Sequence, residues 1–238
     1  EVGDAFVKQG FNLVSLASNH TMDVYYRDGH SLKSLTNSRN YWNKQTGVIA
    51  SGSYTSQEER DKLQIQEING IKYTLLSYTI WDNGLSVPSG KGYLSEQYTR
   101  AKVKKDVQKY QEANVDLIMV AIHWGTEGSH YVNDFQKSEA KYLASLGVNI
   151  VIGSHPHVVQ PITYVGDTLV IYSLGNFVSS QHIVGIDNVI GLFAACDIEK
   201  EVYHGKTTIK ILNPQAQLTY TTKNYVVYPF DKLNLLLK

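Results

Sequence analysis

The amino-acid sequence predicts an α/β protein, and three observations support this. Apolar runs of strand length recur in the first part of the chain, segments of helical periodicity lie between them, and the last part alternates apolar and polar residues. Alternating strands and helices are typical of a mainly parallel sheet, whereas alternation within strands is typical of antiparallel pairing. The order is therefore βαβα first and mostly β afterwards, and we expect a single domain over residues 1–238.

The composition excludes several classes of protein. Lysine and arginine together number 22, as do aspartate and glutamate, so the chain has no net charge and no basic block. Nucleic acid is therefore not expected as a partner, because proteins that bind it carry a basic patch or stripe. The single cysteine, Cys196, excludes an intrachain disulfide and a zinc ribbon, and its apolar neighbours predict a packed strand residue. No run approaches the roughly 18 apolar residues of a membrane span.

The first predicted strand ends in polar side chains. Residues 1–10 have the pattern of the end of a helix, with Gly10 suited to the position after its last turn. The buried-strand run FNLVSLAS follows and leads to Asn19 and His20. An asparagine oxygen can bind a metal and a histidine can donate a proton; the alternative is an Asn-His turn that caps the next helix. Asp23 is close enough in sequence to orient His20.

A hairpin is the clearest local signal in the next part of the chain. Residues 28–46 are polar and predict helix and loop, and the run VIASGSY predicts a short strand with a glycine turn. The segment 57–61 is charged and is expected at the surface. The pair Asn69-Gly70 then joins an alternating run to a more apolar one, which predicts an edge strand beside a central strand.

A second strand end carries a histidine. The segment 81–93 is rich in Gly, Pro, Ser and Asn and predicts a long exposed loop. The segment 96–114 predicts a helix with an apolar side and a lysine side. The buried run VDLIMVAI follows and ends at His123, with Glu127 just beyond it.

Two histidines follow the next predicted strand. An amphipathic helix over 135–147 leads into the β-branched run 150–152, after which His155 and His157 flank a proline. Alternate residues of an extended segment point the same way, so the sequence predicts two imidazoles side by side, an arrangement that suits a metal. The alternative is that they close the sheet end by hydrogen bonds.

The last part of the chain is predicted to be mostly β. A hairpin turn at 166–167 precedes a strand and a polar end at 173–177, and the runs 189–198 and 206–222 predict antiparallel strands around a glycine turn. The remaining histidines lie in polar surroundings and are expected at the surface; they are His30, His130, His182 and His204.

Four separated motifs, in order, carry a family resemblance. They are Asn19-His20, His123-Trp-Gly-x-Glu127, Gly153-Ser-His155-Pro-His157 and Tyr172-Ser-Leu-Gly-Asn176-Phe177. With these motifs and a Val-Pro-Ser-Gly-Lys-Gly-Tyr loop, the chain resembles the CapA/PgsA family of bacterial poly-γ-glutamate capsule proteins over residues 6–178. That family is similar to the calcineurin-like metallophosphoesterases. The resemblance therefore implies a β-sandwich flanked by helices, with a two-metal site at the carboxyl ends of its strands.

The resemblance also implies roles for the residues of the four motifs. Asn19 would be a metal ligand, and His20 would stabilise the phosphoryl group or protonate the leaving oxygen. The resemblance does not supply Asp23, which we assign to the catalytic group because it is close to His20 in sequence. The other implied metal ligands are His123, His155 and His157, and the implied supporting residues are Glu127 and Asn176. Since each motif follows a predicted strand, we expect these side chains to converge at one sheet edge.

The chain departs from the phosphoesterase pattern in one respect. In that fold, acidic motifs ahead of the Asn-His motif supply the first metal ligands. Here the acidic residues before Asn19 are Glu1 and Asp4, both on a predicted helix. We therefore expect an N-terminally incomplete domain that lacks a leading strand–helix region. The resemblance implies two divalent ions (Mn, Fe or Zn) in the full-length protein, whereas this chain is expected to hold one or none.

Two functions remain open from the sequence. The first is a metal-dependent phosphoester hydrolase, and the second is a non-catalytic structural or polymer-binding component of a capsule assembly or export complex. The implied partners are other capsule synthesis and export proteins and an anionic polymer or phosphoester substrate. The implied location is the extracellular face of the bacterial membrane, with an anchor outside this chain.

Overall fold

The computed structural model describes residues 2–181 and 184–235. Contacts within the chain divide it into two compact units, Glu1–His123 and Trp124–Lys238. Both units combine helices with strands, as the sequence predicted. The expectation of a single domain stays a prediction. The expected surface position of His182 falls outside the described residues.

Most helices of the first unit lie where helical patterns were predicted, but the charged segment 57–61 was not predicted to be a helix; two of the helices begin at side-chain caps. They are α1 (Val2–Lys8), α2 (Asp23–Arg27), α3 (Lys33–Trp42), α4 (Gln57–Asp61) and α5 (Arg100–Glu112). Ser56 accepts a hydrogen bond from the Glu59 amide at the start of α4, and Thr99 does the same for Lys102 at the start of α5. These oxygens satisfy amide groups that have no partner within the helix.

The strands of the first unit form two sheets. They are β1 (Leu13–Ser15), β2 (Ile49–Ser51), β3 (Gln66–Ile68), β4 (Ile71–Thr79) and β5 (Leu117–His123). Strands β1 and β2 are parallel, β3 is antiparallel to β4, and β4 is parallel to β5. The predicted hairpin turn is confirmed, because Asn69 and Gly70 have φ values of 51° and 76°. In the β4–β5 ladder Thr79 is opposite His123, so both strands end at the same edge.

The core of the first unit confirms the predicted apolar side of α5. Val103, Val107 and Tyr110 are buried, as are most residues of β4 and β5. Burying an aliphatic side chain of this size contributes about 1.5–3 kcal/mol relative to leaving it exposed. This packing supports the strand ends from which polar side chains project.

Two expectations for the first unit are wrong in detail. Strand β1 was expected to be buried, but Leu13 and Val14 are only half-buried and Ser15 is exposed. The apolar run is divided, since Phe11 packs edge-on against Phe6 of α1 instead of entering the sheet. The charged segment 57–61 is not simply a surface segment, because Arg60 turns inward and forms ion pairs with two buried carboxylates, Glu96 and Asp106.

The second unit contains one long helix and the remaining strands. They are α6 (Asp134–Ser145), β6 (Ile150–Ser154), β7 (Ile162–Val165), β8 (Thr168–Ile171), β9 (Ile190–Tyr203), β10 (Lys206–Thr221) and β11 (Val227–Pro229). Strand β8 is parallel to β6 and antiparallel to β7, whereas β9, β10 and β11 form an antiparallel sheet. The predicted turns at Gly166 and Gly205 are confirmed, and Cys196 is a half-buried residue of β9, as expected.

Short 3₁₀ helices complete the described chain. They are Gly92–Leu94, Ile186–Val189 and Phe230–Leu235. Across residues 2–181 and 184–235, no helix has the length and apolar character that crossing a membrane requires.

Candidate functional site

A tight turn after β1 directs the side chains of Asn19 and His20 to different surroundings. The Ser18 amide donates to Thr21 Oγ1 at 2.8 Å, and this hydroxyl donates back to the carbonyls of Leu16 and Ser18. The turn directs Asn19 inward, where it is 3% exposed, while the His20 side chain is 63% exposed. Helix α2 has Met22 at its N-cap and no side-chain cap, so the alternative that the Asn-His pair caps this helix is wrong.

The Asn19 amide oxygen faces a histidine at the end of β5. Asn19 Oδ1 lies 2.9 Å from His123 Nε2. Two ligands held about 2.1 Å from one ion at a right angle would stand about 3.0 Å apart. The spacing of this oxygen and this nitrogen therefore fits a pair of ligands on one divalent ion.

His20 is held by a carboxylate on α2. His20 Nδ1 lies 2.6 Å from Asp23 Oδ2, and both side chains are largely exposed. Since the carboxylate can only accept, Nδ1 carries the proton, and Nε2 is directed away from Asp23. The contact expected from the sequence is present; the catalytic role of these two residues stays a prediction.

Two residues near this group were not identified from the sequence. Asp82 and Asn83 follow β4, inside the segment 81–93 that was expected to be an exposed loop. That expectation is wrong at its start, because Asp82 is 1% exposed and accepts hydrogen bonds from Ser95 and Gln97, both at 2.7 Å. Burial raises the pKa of the Asp82 carboxyl group above its ordinary value, and the nearby charge of Asp23 adds to this, although the two hydrogen bonds oppose it.

The strand-end pattern could have identified both residues. The polar strand ends that the sequence predicts are those at Asn19, His123, His155 and Asn176, and the end of β4 is not among them. Because β4 is parallel to β5 and ends beside His123, polar residues immediately after it are expected at the same edge.

In the second unit, His155 and His157 follow β6 on a backbone that the sequence did not predict. Both residues are in the left-handed region, with φ values of 99° and 60°, so the expectation of an extended segment is wrong. Their rings nevertheless lie near each other, with centroids 6.2 Å apart. A positive φ is costly for residues with a side chain, and such strain concentrates at functional sites.

The backbone just before the two histidines is closely packed. Trp124 Nε1 donates to the Tyr172 carbonyl at 2.9 Å, and a Cβ atom on Gly153 would lie 2.5 Å from Trp124 Nε1 and overlap the Tyr172 carbonyl. The Trp124 amide also donates to the Ser154 carbonyl, and the Gly128 amide to that of Pro156. The segment after Trp124 therefore supports the histidine loop along its length.

Each of the two histidines has a polar neighbour that the resemblance named as supporting. His157 Nδ1 lies 2.9 Å from Asn176 Oδ1, and the Asn176 amide group donates to the Asn188 carbonyl at 2.7 Å. This fixes the proton on Nδ1 and leaves Nε2 as a potential ligand atom. His155 is buried, and its Nε2 lies 3.9 Å from the exposed carboxylate of Glu127.

The ligand atoms suit a divalent transition metal, but each unit brings together only a few of the candidate ligands. Imidazole nitrogens with carboxylate and amide oxygens are typical ligands of Zn, Mn and Fe. Among the residues that the structure describes, no three His, Cys, Asp or Glu side chains form a group that could hold a metal. The prediction that all five ligand and catalytic residues converge stays a prediction. The other described histidines, His30, His130 and His204, are exposed as expected.

Solved structures that align with the chain identify its fold. The chain aligns over 98% of its length with a 5'-nucleotidase precursor from Thermus thermophilus, at a TM-score of 0.54 and 15% identity. It aligns over 98% with a putative 5'-nucleotidase from Staphylococcus aureus, at a TM-score of 0.55 and 12% identity. The chain covers 43% and 42% of these two structures. The fold is thus the α/β fold of the calcineurin-like metallophosphoesterases, as predicted.

Sequence comparison then gives the family. Residues 1–181 match the family described as bacterial capsule synthesis protein PGA_cap, and the chain belongs to this family. It is 28% identical over 177 residues to the PGA biosynthesis protein CapA of Bacillus subtilis (strain 168), and 28% identical over 192 residues to the capsule biosynthesis protein CapA of Bacillus anthracis. These matches cover 72% and 76% of the chain but 43% of each relative, so the chain spans less than half the length of these relatives.

Proposed function

We propose that this chain carries the phosphoester-hydrolysing site of a capsule biosynthesis protein that uses divalent metal ions. The observation that carries the proposal is the pair formed by Asn19 Oδ1 and His123 Nε2, which face each other at 2.9 Å, while Asn83 contacts both Asn19 and the imidazole of His20. Family membership supports the part in capsule biosynthesis, and the phosphoesterase-type fold supports the chemistry.

The proposed metal ligands are Asn19 and His123 in the first unit and His155 and His157 in the second. Asn176 and Glu127 would act on the second pair, Asn176 by holding the proton of His157 on Nδ1. A bound divalent ion would supply a Lewis acid for a phosphoryl oxygen and lower the pKa of a bound water. That the two pairs serve one centre is part of the proposal.

His20 is the proposed proton donor to the leaving oxygen. Its Nδ1 is committed to Asp23, so a proton on Nε2 is the one that can be transferred. A cavity of about 210 Å³ lies beside this ring and is lined in part by Thr21, Ser38 and Arg39. The Arg39 guanidinium is already paired with Glu59 and the Ala50 carbonyl, so we propose this cavity as space for the substrate beside His20 and not as a charged anion site.

A non-catalytic role is the second candidate. The observation that favours it is that the described residues offer no group of three His, Cys, Asp or Glu side chains for a metal. In that case the same polar surface would bind an anionic capsule polymer without hydrolysing it. Under either candidate, we propose a site of action at the extracellular face of the bacterial membrane, together with other capsule synthesis and export proteins.

Metal analysis and a phosphodiesterase assay on the full-length protein test the proposal. The informative variant is His157→Asn, because asparagine tolerates the left-handed backbone and only the imidazole is lost. The matched control is His204→Asn, since His204 has a φ of 48° in the exposed turn between β9 and β10. We expect His157→Asn to lower the affinity for Mn²⁺ or Zn²⁺ about 100-fold and to abolish hydrolysis of bis(p-nitrophenyl) phosphate, with no effect in the control.

The outcomes separate the two candidates. Metal-dependent hydrolysis that is lost in His157→Asn supports the enzyme. Stoichiometric metal without hydrolysis supports the polymer-binding role. Equal metal content in parent and His157→Asn contradicts the ligand assignment.

A further inference from the structure

A β-turn that begins three residues after β4 places an asparagine against Asn19. The Leu85 amide donates to the Asp82 carbonyl at 2.7 Å, which closes a turn with Asn83 and Gly84 at its centre. Their φ values are 50° and 76°, so both central residues are left-handed. Asn-Gly is the pair best suited to such a turn, because asparagine and glycine tolerate a positive φ.

The turn is fixed at its base. Asp82 is almost fully buried and accepts hydrogen bonds from the Ser95 hydroxyl and the Gln97 amide group, both at 2.7 Å. Just before it, the Thr79 hydroxyl donates to the Trp81 carbonyl at 2.8 Å. The position of Asn83 is therefore set by buried polar contacts rather than by a free loop.

Asn83 decides which end of the Asn19 amide faces His123. Asn19 Nδ2 donates to Asn83 Oδ1 at 2.9 Å, and the opposite end, Asn19 Oδ1, lies 2.9 Å from His123 Nε2. A carboxamide has one donor end and one acceptor end, so engaging Nδ2 commits Oδ1 to the side of His123. Without this partner, rotation by about 180° would present NH₂ groups, which cannot bind a cation, to His123.

Asn83 also touches His20, but this contact is secondary. Asn83 Nδ2 lies 3.3 Å from His20 Nδ1, whereas Asp23 Oδ2 lies 2.6 Å from the same nitrogen. A ring nitrogen that donates its proton to Asp23 cannot also accept one from Asn83. The amide of Asn19 is therefore the group that Asn83 orients.

We infer that Asn83 is a positioning residue that holds the Asn19 amide oxygen toward the proposed metal ligand His123. The inference rests on the proposed function where it concerns metal, but the orientation of the amide exists without metal. The anchor at Asp82 makes the orientation a property of the folded chain, so that Asn19 does not have to be ordered by the ion itself.

The test replaces Asn83 by glycine, which keeps the left-handed backbone and removes the side chain. Asn69→Gly is the matched control, since Asn69 has a φ of 51° and precedes a glycine in the β3–β4 turn of the same unit. Asn83→Asp is the rescue variant, because it retains the oxygen that accepts from Asn19. In the protein treated with EDTA, the chemical shifts and hydrogen exchange of the Asn19 side-chain amide are measured by ¹⁵N NMR, and Zn²⁺ affinity is then measured by calorimetry.

We expect slow exchange of the Asn19 amide in the parent, in Asn69→Gly and in Asn83→Asp, and exchange close to that of a free amide in Asn83→Gly. Zn²⁺ affinity should fall about 10-fold in Asn83→Gly only, the lower end of the range for residues that orient ligands. An unchanged Asn19 signal in Asn83→Gly overturns the inference. If Asn83→Gly does not fold, unprotected exchange of the Asn19 amide in the parent overturns it equally.

The two proposals fail in different ways. An altered Asn19 amide with unchanged Zn²⁺ affinity supports the positioning role and contradicts Asn19 as a ligand. Lost affinity with an unchanged amide signal contradicts the positioning role alone.

Discussion

The two groups of candidate ligands are held by different means. In the first unit, His123 is the last residue of a regular strand, and Asn19 is oriented by side-chain hydrogen bonds to its neighbours. In the second unit, His155 and His157 lie on a left-handed backbone that close packing around Gly153 supports. One group therefore depends on side-chain chemistry and the other on backbone shape, and the two should respond differently to substitution.

The largest effect should come from the backbone of the second unit. In Gly153→Ala the added methyl group would overlap the Tyr172 carbonyl and crowd Trp124 Nε1, and neither atom can move without disturbing the fold. We expect the free energy of unfolding to fall by about 3 kcal/mol, the upper end of the usual range for overpacking. Urea denaturation measures this directly.

Gly185→Ala is the control for that substitution. Gly185 has an extended backbone, and among the described residues a Cβ atom there would meet Asn188 Oδ1 alone, at 3.7 Å, an ordinary contact. If Gly153→Ala lowers the free energy of unfolding no more than Gly185→Ala does, backbone packing does not hold the histidine loop.

A smaller effect is expected from the side chains of the first unit. Asp23→Ala removes the carboxylate that orients His20, and since both side chains are largely exposed the contact is worth roughly 1 kcal/mol or less. In the full-length protein we expect kcat for a phosphodiester to fall about fivefold, with the free energy of unfolding unchanged.

The chain offers a matched pair for this prediction. Asp187 stands 3.6 Å from the exposed His130, and Asp187→Ala removes a carboxylate of similar exposure next to another histidine. Equal kcat values in the two variants would argue against a role for Asp23.

The smallest effect concerns pH and the buried anchor of the first unit. Because burial raises the pKa of Asp82 above the ordinary value of 3.8, the folded state binds a proton more readily than the unfolded state. The parent should therefore gain free energy of unfolding, relative to Asp82→Asn, as the pH falls from neutrality toward 3.8. This gain should disappear as the pH is raised again.

Chemical denaturation of the parent and Asp82→Asn at several pH values measures this difference. Asparagine can accept from Gln97 and donate to Ser95, so the turn should be kept. Parallel pH profiles in the two proteins would show that Asp82 does not titrate in this way.

Local signals in the sequence predicted much of the fold. The Asn69-Gly70 turn, the apolar side of α5 and the antiparallel pair β9–β10 each depend on residues close together in the chain. The ends of β1, β5 and β6 were located for the same reason. Local patterns do not determine how deeply a strand is buried. Leu13 belongs to an apolar run typical of a buried strand, yet the strand is not buried.

The supporting contacts of the site were less accessible to prediction. Asp82 became buried because Ser95 and Gln97, distant in sequence, supply its hydrogen bonds. His155 and His157 take left-handed conformations just after Gly153, which packs against Trp124 and Tyr172, and no pattern within Gly-Ser-His-Pro-His expresses that contact. Contacts between residues far apart in the sequence form only when the chain folds, so local sequence patterns do not predict them.

The left-handed histidines limit how this site could change over evolutionary time. If His155 and His157 bind metal as proposed, a residue at either position must suit both the backbone and the metal, and besides glycine the side chains that best tolerate such φ values are asparagine and aspartate. Substitutions that keep the loop would thus exchange imidazole nitrogen for oxygen. The proposed site would then change its preference toward harder cations such as Mg²⁺ or Ca²⁺ before losing metal binding altogether.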